Sequence, residues 1–261
     1  MVITYTPLIA WITDYPEQLL ITCASAKNSP ISLAMAEQFR DATAQPPLIM
    51  STCFRRYSRL PPHACLALCL NGVVEPFWKD WGDTCPSHFL TPDALHQWHK
   101  FYFEHCVCWV INIIGGEELD HCLAALQPRI GTRHWANEHH ELEKLLPTVA
   151  AGALPDDMLR ALCTITEFIF LAQGIFHYDE TIHSHSKALR EFHHYKSSIP
   201  RAHGHLRKNG PLDHFQIPKV ELTQHIVQSI HQMGAPYQWS SNITEHCHIT
   251  HVKVPYHLSN H

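Results

Sequence analysis

From Thr91 to Met233 the chain reads as six helix-length segments in a row, each set off by proline, glycine or a capping residue. That order leaves room for strands only near the two ends and confines the fold to helical or helix-rich α+β classes. Thr91 is a good N-cap and Pro92 suits a first helical position. A long, mostly apolar helix is therefore expected from there to about Ile114, where Gly115-Gly116 ends it. Further helices are expected over about 117–126, 138–152, 155–176, 179–197 and 218–233. Residues 198–215 contain Pro200, Gly204, Gly210 and Pro211 and read as a loop.

The ends differ from this block. Val2–Ile12 is rich in β-branched and aromatic residues and reads as a buried strand. It runs into Thr13-Asp14-Tyr15-Pro16, and Pro16-Glu17 opens a short helix with proline in its first turn. Residues 41–63 read as a loop and Asn71–Ser87 as irregular, while a last helix is expected to begin near Asn242. The expected fold is thus α+β and predominantly helical. An α/β core broken by a helical insertion gives this order, and so does a plain helical domain. Hydrophobic residues make up 45% of the chain, enough for a sizeable core, so wholesale disorder is excluded.

The net charge of −5 excludes a uniformly basic nucleic-acid binder, but the charge is uneven. Between Lys187 and Lys219 seven Lys/Arg face two acids, Glu191 and Asp213, so this stretch is +5 and the remainder −10. Such a segment can contact phosphates, with Arg201, Arg207 and Lys208 as candidate DNA-binding residues, or form an ordinary solvated face. The ten cysteines include no Cys-x-x-Cys pair, and no signal peptide precedes the first residues. Reduced thiols in the nucleus or cytosol fit best, in a chain that is not secreted. The longest apolar run, around Cys106–Ile114, is too short to span a bilayer.

Three acids stand at expected element boundaries: Asp14, Asp93 and Glu245. Metal-dependent phosphoryl transfer gathers carboxylates from separate strand and helix ends around Mg²⁺ or Mn²⁺. Each acid also has a plain structural use. Asp93 in a first helical turn favours the helix dipole, Glu245 three residues after Asn242 resembles a capping box, and Asp14 before Tyr-Pro starts a turn. The 24 histidines invite a second chemistry. Glu180/His183 and Glu191/His194 repeat the Glu-x-x-His pair of di-iron bundles. Their 11-residue offset on one helix, roughly 16 Å, is too long for one dinuclear centre. Cys247 and His251 are zinc-type donors that need two further ligands, for which His96 and His99 are candidates.

As strings, several segments are similar to Plavaka-type transposases, fungal CACTA-like cut-and-paste enzymes. They are Asp14-Tyr15-Pro16-Glu17-Gln18, then Leu70-Asn71-Gly72-Val73 with Pro76-Phe77-Trp78-Lys79-Asp80-Trp81, and Phe89-Leu90-Thr91-Pro92-Asp93-Ala94-Leu95-His96. After these come Leu126-Gln127-Pro128-Arg129-Ile130-Gly131, Leu189-Arg190-Glu191-Phe192-His193, Phe215-Gln216-Ile217-Pro218-Lys219, and Gln238-Trp239 through Glu245-His246-Cys247-His248. The resemblance implies an RNase H-like core of the DDE type, partial here and interrupted by a long helical insertion. It implies that Asp14 matches the second catalytic acid, Asp93-x-x-His96 the Asp-x-x-His signature, and Glu245 the final acid. It also implies Mg²⁺ or Mn²⁺ as cofactor and DNA, the transposon ends, as partner.

On this resemblance residues 1–40 form a partial RNase H-like segment, 41–90 an irregular linker, 91–235 the helical insertion and 236–261 the final catalytic helix. The departures are specific. The first Asp is expected on a strand upstream of Met1. Cys23 to Leu33 holds one cysteine where the family carries Cys-x-x-Cys. The segment between Trp135 and Glu138 is shorter than the family's, and the family continues past His261. The expectation is a truncated transposase catalytic domain, inactive alone. The rivals are a histidine-rich metalloprotein using Glu180, His183, Glu191 and His194, and a domesticated interaction protein without chemistry.

Overall fold

A computed structural model describes residues 10–48, 71, 73, 76–78, 80–81, 86–130 and 139–259. The chain enters as strand β1 (Trp11–Thr13) and turns at Asp14 into helix α1 (Tyr15–Thr22). Asp14 is the N-cap, its carboxylate accepting from the Glu17 N–H, and Pro16 lies in the first turn as its fixed φ favours. The strand expected over Val2–Ile12 lies mostly outside the described residues.

A short helix α2 (Pro86–Phe89) then leads into strand β2 (Leu90–Pro92), which runs parallel to β1. Thr91 and Pro92 are therefore not a helix start. Buried on both sides, Leu90 and Thr91 gain more from pairing with β1 than from opening a helix. The capping role moves two residues on, to Asp93, whose carboxylate accepts from the His96 N–H while its carbonyl accepts from Gln97. The following helix α3 (94–114) includes π-helical turns at Leu95–His99 and Tyr102–Val107, and ends at Gly115, whose φ of 86° suits glycine. The boundary expected between residues 90 and 91 falls inside β2.

The rest is helical: α4 (Gly116–Ile130), α5 (His139–Val149), α6 (Asp156–Ala172), α7 (Asp179–Tyr195) and the short α8 (Ser198–Arg201). The stretch 198–215 is not all loop, because β3 (Leu206–Arg207) and β4 (Gly210–Pro211) form a small antiparallel hairpin. Helices α9 (Pro218–Leu222) and α10 (Ile226–Met233) follow, then α11 (Asn242–His248), continued through π-helical Ile249–Lys253 into α12 (Val254–Ser259).

Among the described residues two apolar clusters join segments distant in sequence. The larger one is built on α6, whose Met158, Ala161, Leu162, Ile165, Phe168, Ile169 and Ala172 recur at helical spacing and meet Ala188 and Phe192 of α7. The smaller one unites Ile21, Ile31, Trp78, Phe89 and Leu90 with Leu222 of α9. Beside it Glu221, 1% exposed, accepts hydrogen bonds from Ser29 Oγ (2.8 Å) and Ser32 Oγ (2.5 Å) and is bonded to His225 Nε2 (2.7 Å). One carboxylate therefore ties the N-terminal segment to the helical block.

Burial makes the fold acid-sensitive. It lowers His105 to about 4, His185 to about 4 and His193 to about 3, with neighbouring Lys219, His177 and Lys196 respectively adding to the effect. The unfolded chain binds protons at these rings below about pH 6.5, where the folded chain does not. Their stabilisation is complete above pH 6.5 and is lost as pH falls toward the folded values. His185 is fully buried edge-on to Phe168. His185→Phe is expected to leave neutral stability unchanged and to reduce the loss between pH 7 and 4.5 by on the order of 2 kcal/mol. Urea midpoints at the two pH values read this, and an unchanged acid limb would contradict it.

Candidate functional site

The parallel register pairs Trp11 with Leu90, Ile12 with Thr91 and Thr13 with Pro92. Asp14 and Asp93 therefore leave the sheet side by side at the carboxyl ends of neighbouring strands, roughly 5 Å apart at the backbone. Gln18 of α1 fixes this end of the sheet. Its side-chain amide donates both to Thr13 O (2.8 Å) and to Thr91 O (2.9 Å).

The two acids differ in surroundings. Asp14 is partly exposed, and one carboxylate oxygen accepts from Glu17 N–H at 3.1 Å. Asp93 has a side chain 1% exposed. Its Oδ1 accepts from the Ser241 N–H at 2.7 Å, and its Oδ2 accepts from Ser241 Oγ at 2.6 Å and meets His96 Nδ1 at 2.5 Å. Both oxygens are thus occupied by protein donors. The Asp-x-x-His pair is real as a contact, but its carboxylate is spent on position.

What Asp93 positions is the helix bearing Glu245. Ser241 is the residue before α11, and its carbonyl accepts from Glu245 N–H at 2.9 Å. The capping box expected on Asn242 does not form, because Ser241 is the N-cap and turns its hydroxyl to Asp93 instead of to its own helix. Glu245 itself is exposed. Asp14, Asp93 and the first turn of the Glu245 helix therefore lie at one end of the two-stranded sheet.

Among the described residues no group of three or more His, Cys, Asp or Glu side chains is gathered to hold a metal ion. Asp14 and Glu245 are open oxygen donors of the kind Mg²⁺ takes, whereas Asp93 is not. Cys247 and His251 lie exposed on the C-terminal helix. The zinc partners considered for them are engaged elsewhere, His96 with Asp93 and His99 with Glu143 at 2.7 Å. Glu180, His183 and His194 are exposed on α7, and Glu191 faces Lys187 at 3.9 Å, so they do not converge as an inward-facing di-iron set would. Within the Cys23–Leu33 segment, which holds one cysteine, Ser29 and Ser32 turn their hydroxyls to Glu221.

The basic segment is spread over three places. Arg201 on α8 donates to Ser197 O (3.2 Å) and approaches Asp157 at 3.9 Å. Arg207 and Lys208 are exposed on the β3–β4 hairpin. A groove between α6 and α7 carries Arg160, Lys187 and Arg190 beside Glu191. Of the five histidines between residues 187 and 219, burial disfavours the charged forms of His193 and His205.

Residues 1–110 match the family model described as Plavaka transposase, a match that ends inside α3 and takes in Asp14, Asp93 and His96. The similar strings beyond residue 110, including the one with Glu245, lie outside it. No curated protein and no solved structure matches the chain. Among the described residues no helix is long and apolar enough to cross a membrane.

Proposed function

We propose, from the premise that residues 1–110 are of Plavaka transposase type, that the chain is part of a cut-and-paste DNA transposase catalytic domain. On this reading β1 and β2 are a piece of an RNase H-like core and the helices after α3 are an insertion into it. Asp14 and Glu245 are the open carboxylates of the site, and Asp93 is a positioning residue. The observation that carries the reading is the grip of Asp93 on Ser241, which brings the Glu245 helix to the strand end where Asp14 stands. The contact joins residues 148 apart in sequence, so local structure alone does not account for it.

Mg²⁺ or Mn²⁺ bound there would activate an attacking oxygen and stabilise the leaving one. The chain's own residues do the rest. Asp14, fixed by its bond to Glu17, presents a carboxylate oxygen at the sheet end. Gln18 holds the two strand ends in register. His96 and Ser241 occupy both Asp93 oxygens, which sets the angle of α11 and with it the approach of Glu245.

Two carboxylates are fewer than this chemistry gathers, so the chain by itself is expected not to nick DNA with Mg²⁺ or Mn²⁺. It is expected to bind duplex DNA weakly at pH 7.5, with Kd on the order of 10⁻⁴–10⁻⁶ M, weakening with salt. Binding is expected to strengthen toward pH 6, where imidazole gains charge. Replacing Arg201, Arg207 and Lys208 by Ala should flatten the salt slope by about two to three contacts. One titration of labelled duplex at both pH values, scored for binding and nicking, decides. No binding at pH 6 and low salt removes the DNA partner, and cleavage abolished by Glu245→Gln contradicts the incomplete site.

A further inference from the structure

Lys196 follows α7 and is 7% exposed. Its ammonium donates to the Arg40 carbonyl, contacts His193 Nδ1 at 2.5 Å and sits 5.8 Å over the Phe215 ring. These neighbours are neutral, and among the described residues no carboxylate lies within ion-pair distance of it. A buried ammonium without an anion is unusual, since burial penalises charge that is not paired. Burial here lowers Lys196 to about 8, with Asp41 opposing the shift and Arg40 adding to it.

Lys196 lines a cavity of about 510 Å³ between α8, the segment before Phe215 and Arg40. Arg40, Arg201, His203 and His214 share the lining, against a single acid, Asp213. An ammonium has three N–H donors and two are engaged, so one is left for a ligand. Two guanidinium groups add planar donors of the kind that recognise phosphate. Phe215, itself 4% exposed, closes the apolar floor of the cavity.

The geometry points to this cavity as the seat of one phosphoryl group, a phosphodiester of a DNA strand, with Lys196 at its wall and Arg40 and Arg201 at its mouth. It rests on the DNA reading above for the source of the phosphate, but not for the phosphate chemistry. It adds Arg40, outside the basic segment, and Lys196, within it, to the candidates Arg201, Arg207 and Lys208.

The test uses the full chain with two probes, a labelled duplex oligonucleotide and inorganic phosphate. Arg40→Ala changes an exposed side chain, and Lys196→Met keeps length while removing charge, with circular dichroism checking both folds. Lys100→Ala, at a lysine paired with Glu104 on α3, is the control. Lys196→Met is expected to weaken duplex binding about 10-fold and Arg40→Ala several-fold, each lowering the salt slope by about one contact. In wild-type protein the Lys196 titration midpoint, followed by ¹³C-dimethyl labelling, should move upward with either probe, because a seated anion favours the charged form. Duplex binding that both variants leave intact overturns the cavity and leaves the DNA reading standing. Phosphate binding that depends on Lys196, without duplex binding, keeps the seat and overturns its DNA source. No binding of either probe overturns both.

Discussion

Asp93→Ala is expected to destabilise the protein by about 2–4 kcal/mol and to release the helix that begins at Asn242. The carboxylate is buried and holds the Ser241 N–H, the Ser241 hydroxyl and the His96 ring. Removing it leaves partly buried donors without acceptors and a buried cavity in place of the carboxylate, which costs more than a surface hydrogen bond is worth. The loss should also be local in its consequences. Residues 244–259 are exposed apart from Thr250, so little else holds this helix to the body. Amide exchange should show protection lost over residues 242–248 while α6 and α7 stay protected. Asp93→Asn keeps an acceptor for the Ser241 N–H and is expected to lose about half as much. Unchanged exchange in 242–248 after Asp93→Ala would mean that the helix is held by something other than this contact.

Glu221→Ala is expected to cost about 3 kcal/mol or more, comparable to breaking a buried charged network. Three partners lose their acceptor at once: Ser29, Ser32 and His225. The damage should fall on the junction between the N-terminal segment and the helical block, where Leu222 packs with Ile21, Ile31 and Leu90. Tyr15 provides a reporter. Burial, and after it the Glu221 charge, holds its phenol well above the usual range. Glu221→Ala should bring its titration down, while Glu221→Gln, which keeps the shape and one acceptor, should lose less stability. A denaturation midpoint unchanged by Glu221→Ala would contradict the tie.

The helical order was legible because its signals are local. Gly115 after Ile114, the apolar spacing of α6 and the Asp14-Tyr15-Pro16 helix start each act within a few residues. Strand β2 was not legible. Thr91-Pro92 carries a strong helix-start pattern, and three residues are too few for a strand period to show. Only pairing with β1, some 79 positions earlier in the register, settles it. The same reason hid Ser241 and the Glu221 network. Ser241 lies beside Asn242, which competes for the same capping role, and its partner is 148 residues away. Ser29 and Ser32 meet Glu221 across 192 and 189 residues, and nothing local distinguishes those serines from loop residues. Asp14, Asp93 and Glu245 stand out in the sequence at element boundaries, but the burial that separates Asp93 from Asp14 and Glu245 has no local signal.

Asp14 and Glu245 are proposed to face one metal site at the end of the β1–β2 sheet. The direct measurement is Mn²⁺-induced broadening of backbone amide signals. The account predicts broadening at both Asp14–Glu17 and Ser241–Glu245 at the same Mn²⁺ concentration, reduced at both places by Asp14→Asn alone and by Glu245→Gln alone. The ion's effect falls off steeply with distance, and two ions with their ligands span less than about 12 Å. Broadening confined to one of the two segments, or at both but lost independently in the two variants, would show that the carboxylates do not share a site.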